Sequence, residues 1–406
     1  MKKNLRTVLS GLLACAALSV ASCKKENQLA EKLSSAELGK TSGLGLENNL
    51  RFDPVKFAQG IENYMEGKVS GYGYAIYHEG LPYFIANGGG GYARKPHDAP
   101  AKLHGAYVRQ GIASSTKFIT ALTTVALLEK CNVNLKEKLY HYLPSGWKPS
   151  AEFKELDFER LIGQRTGLIS YGSGSYGNLR RTVEDGVNKA QFESGDWFYN
   201  NVNFDIAAIV LPYVYAKKKS PLDYNALKSL ESNPTELYKG LCQRYIGIVR
   251  VNVFKPAGHI HYGVMDWRPW DNNGPINPLT GTLGYTTISG TEKGTPKGDN
   301  TLNPGPGGLY ISAVEFARIQ SAAAMGKIVS AAGYKAMRDK LLGFDGFRNG
   351  KHGRYTFKNG GANNHETMIF DFGITQVAVF ANIRISDIGN DPMILVNAYD
   401  NAWVTK

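Results

Sequence analysis

The chain has 406 residues, with 47 lysines and arginines against 35 aspartates and glutamates, so its formal net charge is +12 at pH 7. The positive charge is spread along the chain without a concentrated Lys/Arg stripe, which is typical of a solvated basic surface, and we expect no nucleic-acid partner. Two of the cysteines, Cys131 and Cys242, are far apart; they make neither a zinc-binding spacing nor a disulfide framework, and the sequence leaves open whether they pair.

Residues 1–22 have the parts of a bacterial export signal: a basic start, an apolar run over 7–20 and small residues before Cys23. Because a cysteine at such a site can carry acyl chains that bury methylenes in a bilayer, Cys23 is predicted to be the site of lipid attachment. Cys15 would leave a very short apolar run, and an ordinary cleaved signal is the other alternative. We expect an exported protein of the bacterial cell envelope, held to a membrane by lipid and facing the periplasm or the cell surface.

Residues 23–50 are polar and rich in Lys, Glu, Ser and Gly, as in a flexible tether. The folded domain is predicted over residues 51–406. Its first helix is expected after Asp53, which can act as an N-cap before an apolar stripe. Gly71 to Ile85 alternates around a turn as a β-hairpin does, and the Gly88–Gly91 run is interpreted as a break.

Residues 115–130 are apolar nearly all round, which predicts a buried helix. The following stretch mixes helical patterns with turn-rich segments, and Gly274 to Asn300 is interpreted as an extended surface loop. A last helix is expected to begin at Asp391. Three strands are predicted before it, at 355–358, 366–371 and 374–380.

The predicted N-terminal helix and hairpin need the C-terminal strands to complete a sheet. The predicted fold class is therefore α/β of the α+β type, an antiparallel sheet flanked by helices. The sheet part is expected at about 51–130 and 301–406, with a mainly helical insertion at about 131–300.

Ser114 and Lys117 are the first candidates for chemistry. On a helix, residues i and i+3 share a face, so the two side chains can touch. Desolvation disfavours the charge of a buried lysine, which can then draw the proton from a serine hydroxyl. The Ser-x-x-Lys spacing is common, and by itself it indicates a cap followed by a surface lysine.

Two further motifs follow in the chain. Tyr199 and Asn201 precede an apolar helix; a tyrosine near a lysine cation can have a lowered pKa, and the amide can orient a substrate carbonyl. Lys358, Gly360 and Gly361 lie on a predicted strand, where the lysine would offer a cation beside an exposed strand edge. A rival for this third motif is Lys351-His352-Gly353, but Lys358 is preferred because Gly361 and a clean strand follow it.

This order of motifs resembles the β-lactamase-related serine hydrolases, which include class C β-lactamases, D-Ala-D-Ala carboxypeptidases and related esterases. That family has Ser-x-x-Lys, then Tyr-x-Asn, then Lys-Thr-Gly or His-x-Gly. The resemblance covers about residues 53–406, and supporting segments such as 91–93 and 307–312 fall in order. It implies a β-lactamase/transpeptidase-like fold.

The resemblance also implies roles for the candidate residues. Ser114 would be acylated, Lys117 and Tyr199 would share proton transfer, and Asn201 would hold the substrate amide. The backbone N–H groups of Ser114 and Gly361 would form the oxyanion hole. Which of Lys117 and Tyr199 is the main base stays open.

In the third motif, the resemblance implies that Lys358 pairs with a substrate carboxylate and that Gly360 lies on the substrate-binding strand. The chain departs from the family pattern at two places, because Asn359 replaces the usual threonine and Gln164-Arg165 replaces His-Thr. These departures bear on the substrate more than on the chemistry.

The sequence thus predicts a serine hydrolase acting through a covalent acyl-enzyme on a peptide, lactam or ester, such as a cell-wall-related D-amino-acid peptide. The alternatives are a small-ester or lipid esterase, and a non-catalytic binder of peptidoglycan fragments or penicillin on the same scaffold. We expect no cofactor, no metal and a monomer.

Three other signals are declined. The glycine run 172–177 formally matches a dinucleotide fingerprint, but no strand leads into it. His259 and His261 could suggest a metal, yet alternating histidines are more often surface or packing residues. A Ser-His-Asp triad through His365 lacks a Gly-x-Ser-x-Gly elbow.

Overall fold

The computed structural model describes residues 49–81, 85–172, 174–383 and 392–406. The predicted export signal, Cys23, nearly all of the predicted tether and Asp391 lie outside the described residues. Within those four ranges, no helix is both long and apolar enough to cross a bilayer.

The α-helices of the described residues are α1 (Pro54–Met65), α2 (Thr116–Cys131), α3 (Ala151–Lys154), α4 (Phe158–Ile162), α5 (Tyr176–Asp185), α6 (Lys189–Ser194), α7 (Val202–Lys219), α8 (Pro221–Leu230), α9 (Pro234–Val249), α10 (Ala313–Ala324), α11 (Ala331–Asp339) and α12 (Met393–Asn401). The strands are β1 (Leu50–Phe52), β2 (Gly71–His78), β3 (Ala86–Arg94), β4 (Lys102–Leu103), β5 (Gln110–Gly111), β6 (Trp270–Asp271), β7 (Gly274–Pro275), β8 (Leu283–Gly284), β9 (Thr295–Pro296), β10 (Tyr310–Ile311), β11 (Gly346–Gly350), β12 (Gly353–Ala362), β13 (His365–Asp371), β14 (Thr375–Ala381) and β15 (Trp403–Thr405).

The central sheet joins both ends of the chain. It has seven strands in the order β11-β12-β13-β14-β2-β3-β4, all paired antiparallel. Val379 of β14 lies opposite Tyr74 of β2, so a C-terminal strand completes the N-terminal hairpin. The predicted fold class, an antiparallel sheet flanked by helices, is confirmed.

Helices cover both faces of this sheet because successive side chains of a strand point to opposite sides. Ile76 of β2 packs in one apolar cluster with Phe57 of α1 and residues of α12. The adjacent Tyr77 belongs to the other cluster, with Phe118 of α2 and Phe316 of α10. The buried helix α2, predicted over 115–130, therefore lies against the sheet, and its first residues lie next to the nucleophile candidate.

The interpretation of Gly88–Gly91 as a break is wrong. These glycines lie within β3 and pair with β2, from Tyr74↔Gly88 to Gly71↔Gly91. A Cβ at Gly89, whose φ is +155°, would come 2.3 Å from the carbonyl oxygen of Tyr72. Glycine is needed here because the two backbones approach closely, not because the strand ends.

The interpretation of 274–300 as a surface loop is also wrong in part. The segment contains the short pair β8–β9, and Tyr285 is buried with its N–H donating to Asn382 O at 2.8 Å. Lys297 is buried as well, and its Nζ donates to Trp267 O at 3.0 Å. Turn-forming residues therefore do not keep this segment on the surface, since backbone carbonyls of segments next to β14 and β6 accept hydrogen bonds from its polar groups.

The two cysteines of the domain are not paired. Cys131 ends α2, Cys242 lies in α9, and both are free and buried. Burial raises the pKa of both thiols, so neither is prepared to react as a thiolate.

Candidate active site

Ser114 lies on a strained turn that leads into α2. The turn is a 3-10 helix over Ala113–Ser115, and Ala113 has a φ of +45°, which residues other than glycine rarely adopt. Thr116 Oγ1 donates to Ala113 O at 2.7 Å, and Ile112 N–H donates to Leu309 O at 2.9 Å. Such strain persists only where surrounding contacts impose it, so the half-buried Ser114 side chain is held at a defined position.

Lys117 lies one helical turn further along α2 and contacts Ser114. Its Nζ donates to Ser114 Oγ at 3.0 Å and to Pro306 O at 2.7 Å, and the residue is 0% exposed. Burial lowers the pKa of Lys117 well below its ordinary value, and repulsion from the Lys358 ammonium adds to the lowering. A lysine in this environment can keep its amine neutral and accept a proton.

Tyr199 contacts the same serine from the other side of the site. Its Oη lies 2.6 Å from Ser114 Oγ, and the Lys117 Nζ lies 4.8 Å from the centroid of its ring. The residue is 38% exposed, but its hydroxyl end points inward to the serine. Burial of that end raises the pKa of Tyr199 to about 12, so the lowered pKa expected from the sequence is wrong. Tyr199 is a neutral phenol that can both donate and accept.

The segment that carries Tyr199 is fixed by Gln164. The Asn200 N–H donates to Gln164 Oε1 at 2.9 Å, and the Phe198 N–H donates to Gln164 O at 2.9 Å. Gln164 is 2% exposed and has a φ of +55°. The sequence showed Gln164 only as a departure from the family pattern, whereas the structure makes it the residue that positions the tyrosine.

Gly360 allows β12 to approach the nucleophile turn. A Cβ at this position would lie 2.5 Å from Ile112 O and 2.6 Å from Ser115 N, so no larger residue fits without movement. Gly361 follows on the exposed end of β12, in register with Glu366 of β13. The strand end that carries Gly361 is thereby brought next to the turn that carries Ser114.

Lys358, predicted as a cation beside an exposed strand edge, is buried and already has an anionic partner. It is 0% exposed, and its Nζ donates to Asp345 Oδ2 at 2.8 Å, while the Asn359 N–H donates to the same oxygen at 3.0 Å. Its Nζ lies 5.6 Å from the centroid of the Tyr199 ring. Burial lowers the pKa of Lys358, and the Asp345 carboxylate opposes that shift. Lys358 is therefore part of the site, but as a buried ion pair with a residue that sequence reasoning missed.

Asn201 is exposed and directly precedes α7. With Tyr199 it lines a cavity of about 260 Å³ beside the nucleophile. The cavity also contains Asp205, which the sequence analysis did not single out. A single acid within the buried stretch 202–214 was the signal that could have identified it.

The rival residues lie elsewhere. Residues 351–353 form the turn between β11 and β12, where the His352 ring lies 5.1 Å from the Trp403 ring centroid. His365 is buried on β13, opposite Ala362. The hydrogen bonds of Ser114 Oγ go instead to Lys117 and Tyr199. Among the residues that the structure describes, no group of three or more His, Cys, Asp or Glu side chains could hold a metal ion.

The fold is similar to solved structures at low sequence identity. FmtA from Staphylococcus aureus superposes with a TM-score of 0.61 at 17% identity, over 86% of this chain and 89% of that one. The D-amino acid amidase from Ochrobactrum anthropi SV3, complexed with L-phenylalanine amide, gives a TM-score of 0.59 at 14% identity, over 86% and 98%. A β-lactamase/D-alanine carboxypeptidase from Yersinia pestis gives 0.58 at 14% identity, over 86% and 99%. No protein-family model and no curated protein matches the sequence.

Proposed function

We propose that this chain, which has the fold of the penicillin-binding proteins and β-lactamases, is a serine hydrolase that forms an acyl-enzyme at Ser114. One observation carries the proposal: Ser114 Oγ lies 3.0 Å from the buried Lys117 Nζ and 2.6 Å from Tyr199 Oη. A hydroxyl between a base with lowered pKa and a neutral phenol has both the acceptor and the relay that acyl transfer needs.

The proposed acylation begins with neutral Lys117 accepting the Ser114 proton while Oγ attacks the substrate carbonyl carbon. The N–H groups of Ser114 and Gly361 then stabilise the negative oxygen that develops. Collapse of the tetrahedral intermediate breaks the bond to the leaving group, to which Tyr199 gives its proton. Tyr199 is reprotonated from Lys117, and water repeats the sequence to release the acid and restore Ser114.

The proposed substrates are peptides, lactams or esters, and in particular cell-wall-related peptides of D-amino acids. The names of two similar proteins, an amidase of D-amino acids and a D-alanine carboxypeptidase, support this class. Because the Lys358 ammonium already pairs with Asp345, a substrate carboxylate that binds Lys358 would share this ammonium with the Asp345 carboxylate.

An esterase is the second candidate. Trp197 and Phe198 immediately precede Tyr199 and are 40% and 47% exposed, so apolar ring surface is accessible next to the polar site. They offer an apolar surface to an acyl chain, which a short polar peptide would not use.

Export and lipid attachment at Cys23 also remain part of the proposal, supported by the sequence of residues 1–23. Replacing Cys23 by serine should release the protein from the membrane fraction after a salt wash, because the polar tether has nothing else to bind lipid. Continued membrane association of that variant would contradict the anchor.

The substrate class can be tested with three probes on the parent and the Ser114→Ala variant: a peptide ending in D-alanyl-D-alanine, a chromogenic cephalosporin and p-nitrophenyl acetate. We expect the parent to hydrolyse at least one of these probes. Its rate with that probe should fall by a factor of about 10³ or more in Ser114→Ala. Preference for the ester alone would favour the esterase. Equal rates in the parent and in Ser114→Ala with all three probes would favour the alternative of a non-catalytic binder.

A further inference from the structure

The cavity beside Tyr199 is lined mostly by polar groups, together with glycine backbone and the Tyr199 side chain. Its volume is about 260 Å³, and hydroxyl, amide and carboxyl side chains line it, among them Asn200, Asn201, Asp205 and Asn303. Oxygen acceptors therefore face this space, and no cationic side chain is among the lining residues in the part of the chain that the structure describes.

Asp205 is the charged group of this cavity. It lies in the first turn of α7, is 6% exposed, and its Oδ1 accepts a hydrogen bond from none of the described residues. Burial raises the pKa of Asp205 to about 7, and the charge of Lys117 opposes this shift. A buried carboxylate without a donor is costly, and an atom of this kind beside a cavity can be satisfied by a donor that enters the cavity, from water or from a ligand.

A second oxygen converges on the same place. A Cβ added to Gly174 would lie 2.9 Å from Asp205 Oδ1 and 2.9 Å from Asn303 Oδ1. Gly174 is itself fixed, because Tyr238 Oη donates to its carbonyl oxygen at 2.7 Å. Asp205 Oδ1 and Asn303 Oδ1 thus face the same space, which Gly174 leaves open because it has no side chain. This arrangement suits a ligand group that carries several N–H donors.

The cavity also connects with the nucleophile. Asn201 and Asp205 are four residues apart on the start of α7, and residues at this spacing share a face. Tyr199, which lines the cavity, contacts Ser114 Oγ at 2.6 Å. A group bound at Asp205 is thus separated from the reacting serine by one side chain.

We propose that this cavity is a substrate subsite for a compact cationic group, a primary ammonium, held by Asp205 with Asn303. The proposal rests on the proposed function and narrows its substrates to peptides, amides or esters that carry a free amine near the reacting carbonyl. A primary ammonium has three donors and a charge, which a buried carboxylate and an amide oxygen satisfy.

The test measures binding without turnover, so that its outcome does not depend on the hydrolase proposal. Isothermal titration calorimetry on the Ser114→Ala variant compares D-alaninamide, which has an ammonium, with N-acetyl-D-alaninamide, which has none. We expect the first to bind at least tenfold more tightly. Adding Asp205→Asn should remove this preference, because the amide keeps the shape and loses the charge.

Asp223→Asn is the matched control, since Asp223 is a partly exposed acid on the next helix, α8, whose Oδ1 lies 3.9 Å from Arg244 Nε. It should keep the full preference. If Asp205→Asn does not fold, Gly174→Ala tests the same point, because its Cβ would occupy the space between the two oxygens. That variant too should lose the preference.

The proposal is overturned if the Ser114→Ala protein shows no preference for the ammonium ligand, or binds neither. It is also overturned if the preference survives in Asp205→Asn or in Gly174→Ala. If the proposed hydrolase failed but the subsite were real, Ser114 would take no acylating probe while the preference for ammonium persisted.

Discussion

Lys117 and Lys358 place their ammonium nitrogens over one aromatic ring, 4.8 and 5.6 Å from the centroid of Tyr199. Both lysines are wholly buried; Lys358 forms an ion pair with Asp345 at 2.8 Å, whereas none of the described residues forms an ion pair with Lys117. Because the two buried cations repel each other, the lysine outside the ion pair yields its proton more easily. This difference supports Lys117 as the base and makes Lys358 a residue that adjusts it.

The electrostatic role of Lys358 predicts a shift in pH dependence. The Lys358 charge lowers the pKa of Lys117, so Lys358→Met should raise that pKa. Since the reaction needs neutral Lys117, the acidic limb of kcat/KM should move to higher pH. In the double variant Asp345→Asn/Lys358→Met the acidic limb should move less than in Lys358→Met. The Asp345 carboxylate raises the pKa of Lys117, and the double variant lacks that carboxylate.

The measurement is kcat/KM against pH with p-nitrophenyl acetate and with a substrate that ends in a carboxylate. Parallel shifts for both substrates are expected from the electrostatic role. A loss confined to the carboxylate substrate, with no shift of the limb, would instead make Lys358 a group that binds substrate directly.

The close approach at Gly360 predicts a loss of stability and activity in Gly360→Ala. The added Cβ would meet Ile112 O at 2.5 Å and Ser115 N at 2.6 Å, so β12 must move away from the nucleophile turn. Overpacking of this kind costs about 1–3 kcal/mol, and misplacement of the strand should lower kcat about 100-fold. Chemical denaturation and steady-state kinetics would measure both effects.

Gly298→Ala is the control for that substitution, because a Cβ at Gly298 meets nothing within 4 Å. It should leave stability and kcat near the parent values. If Gly360→Ala behaved like Gly298→Ala, the strand would not need its close approach to the Ser114 turn.

The raised pKa of Asp205 predicts how stability depends on pH. An acid whose pKa is raised to about 7 by folding stabilises the protein at low pH, and this contribution is lost as pH rises toward 7. The free energy of unfolding of Asp205→Asn should therefore rise relative to that of the parent between pH 4 and 7, by up to about 1.4 kcal/mol per pH unit. The other titratable groups that sense this acid are Lys117, Tyr238 and Cys242.

Urea unfolding of both proteins at pH 5 and pH 7 in the same buffer measures this difference. A free-energy difference that stays constant between the two pH values would contradict it, since the carboxyl would then be ionised in both the folded and unfolded states.

Local patterns predicted the parts of the site that are close in sequence. The contact between Ser114 and Lys117 follows from helical spacing, because i and i+3 lie on one face. Tyr199 was a candidate from its place before an apolar helix, but no local spacing brings it to Ser114, which is 85 residues away, so that contact followed from the resemblance. Its pKa was predicted in the wrong direction because the burial of its hydroxyl depends on packing that no short motif encodes.

The ion pair of Lys358 could not be predicted for a similar reason. Asp345 comes from the segment before β11, and it reaches the lysine only once the sheet has formed. Gln164 likewise acts through hydrogen bonds to a segment 36 residues away. Residues of this kind are conspicuous in the sequence only as departures from a pattern, as Gln164 was, or as acids in an apolar run, as Asp205 is.

Ser114 is the nucleophile that the proposed reaction acylates. Intact-protein mass spectrometry after treatment with a fluorophosphonate tests this assignment, because serine Oγ displaces fluoride and keeps the phosphonyl group. We expect one adduct on the parent and on Ser115→Ala, mapped to the peptide that contains residue 114, and none on Ser114→Ala. An unmodified parent, or an adduct that persists on Ser114→Ala, would contradict the account.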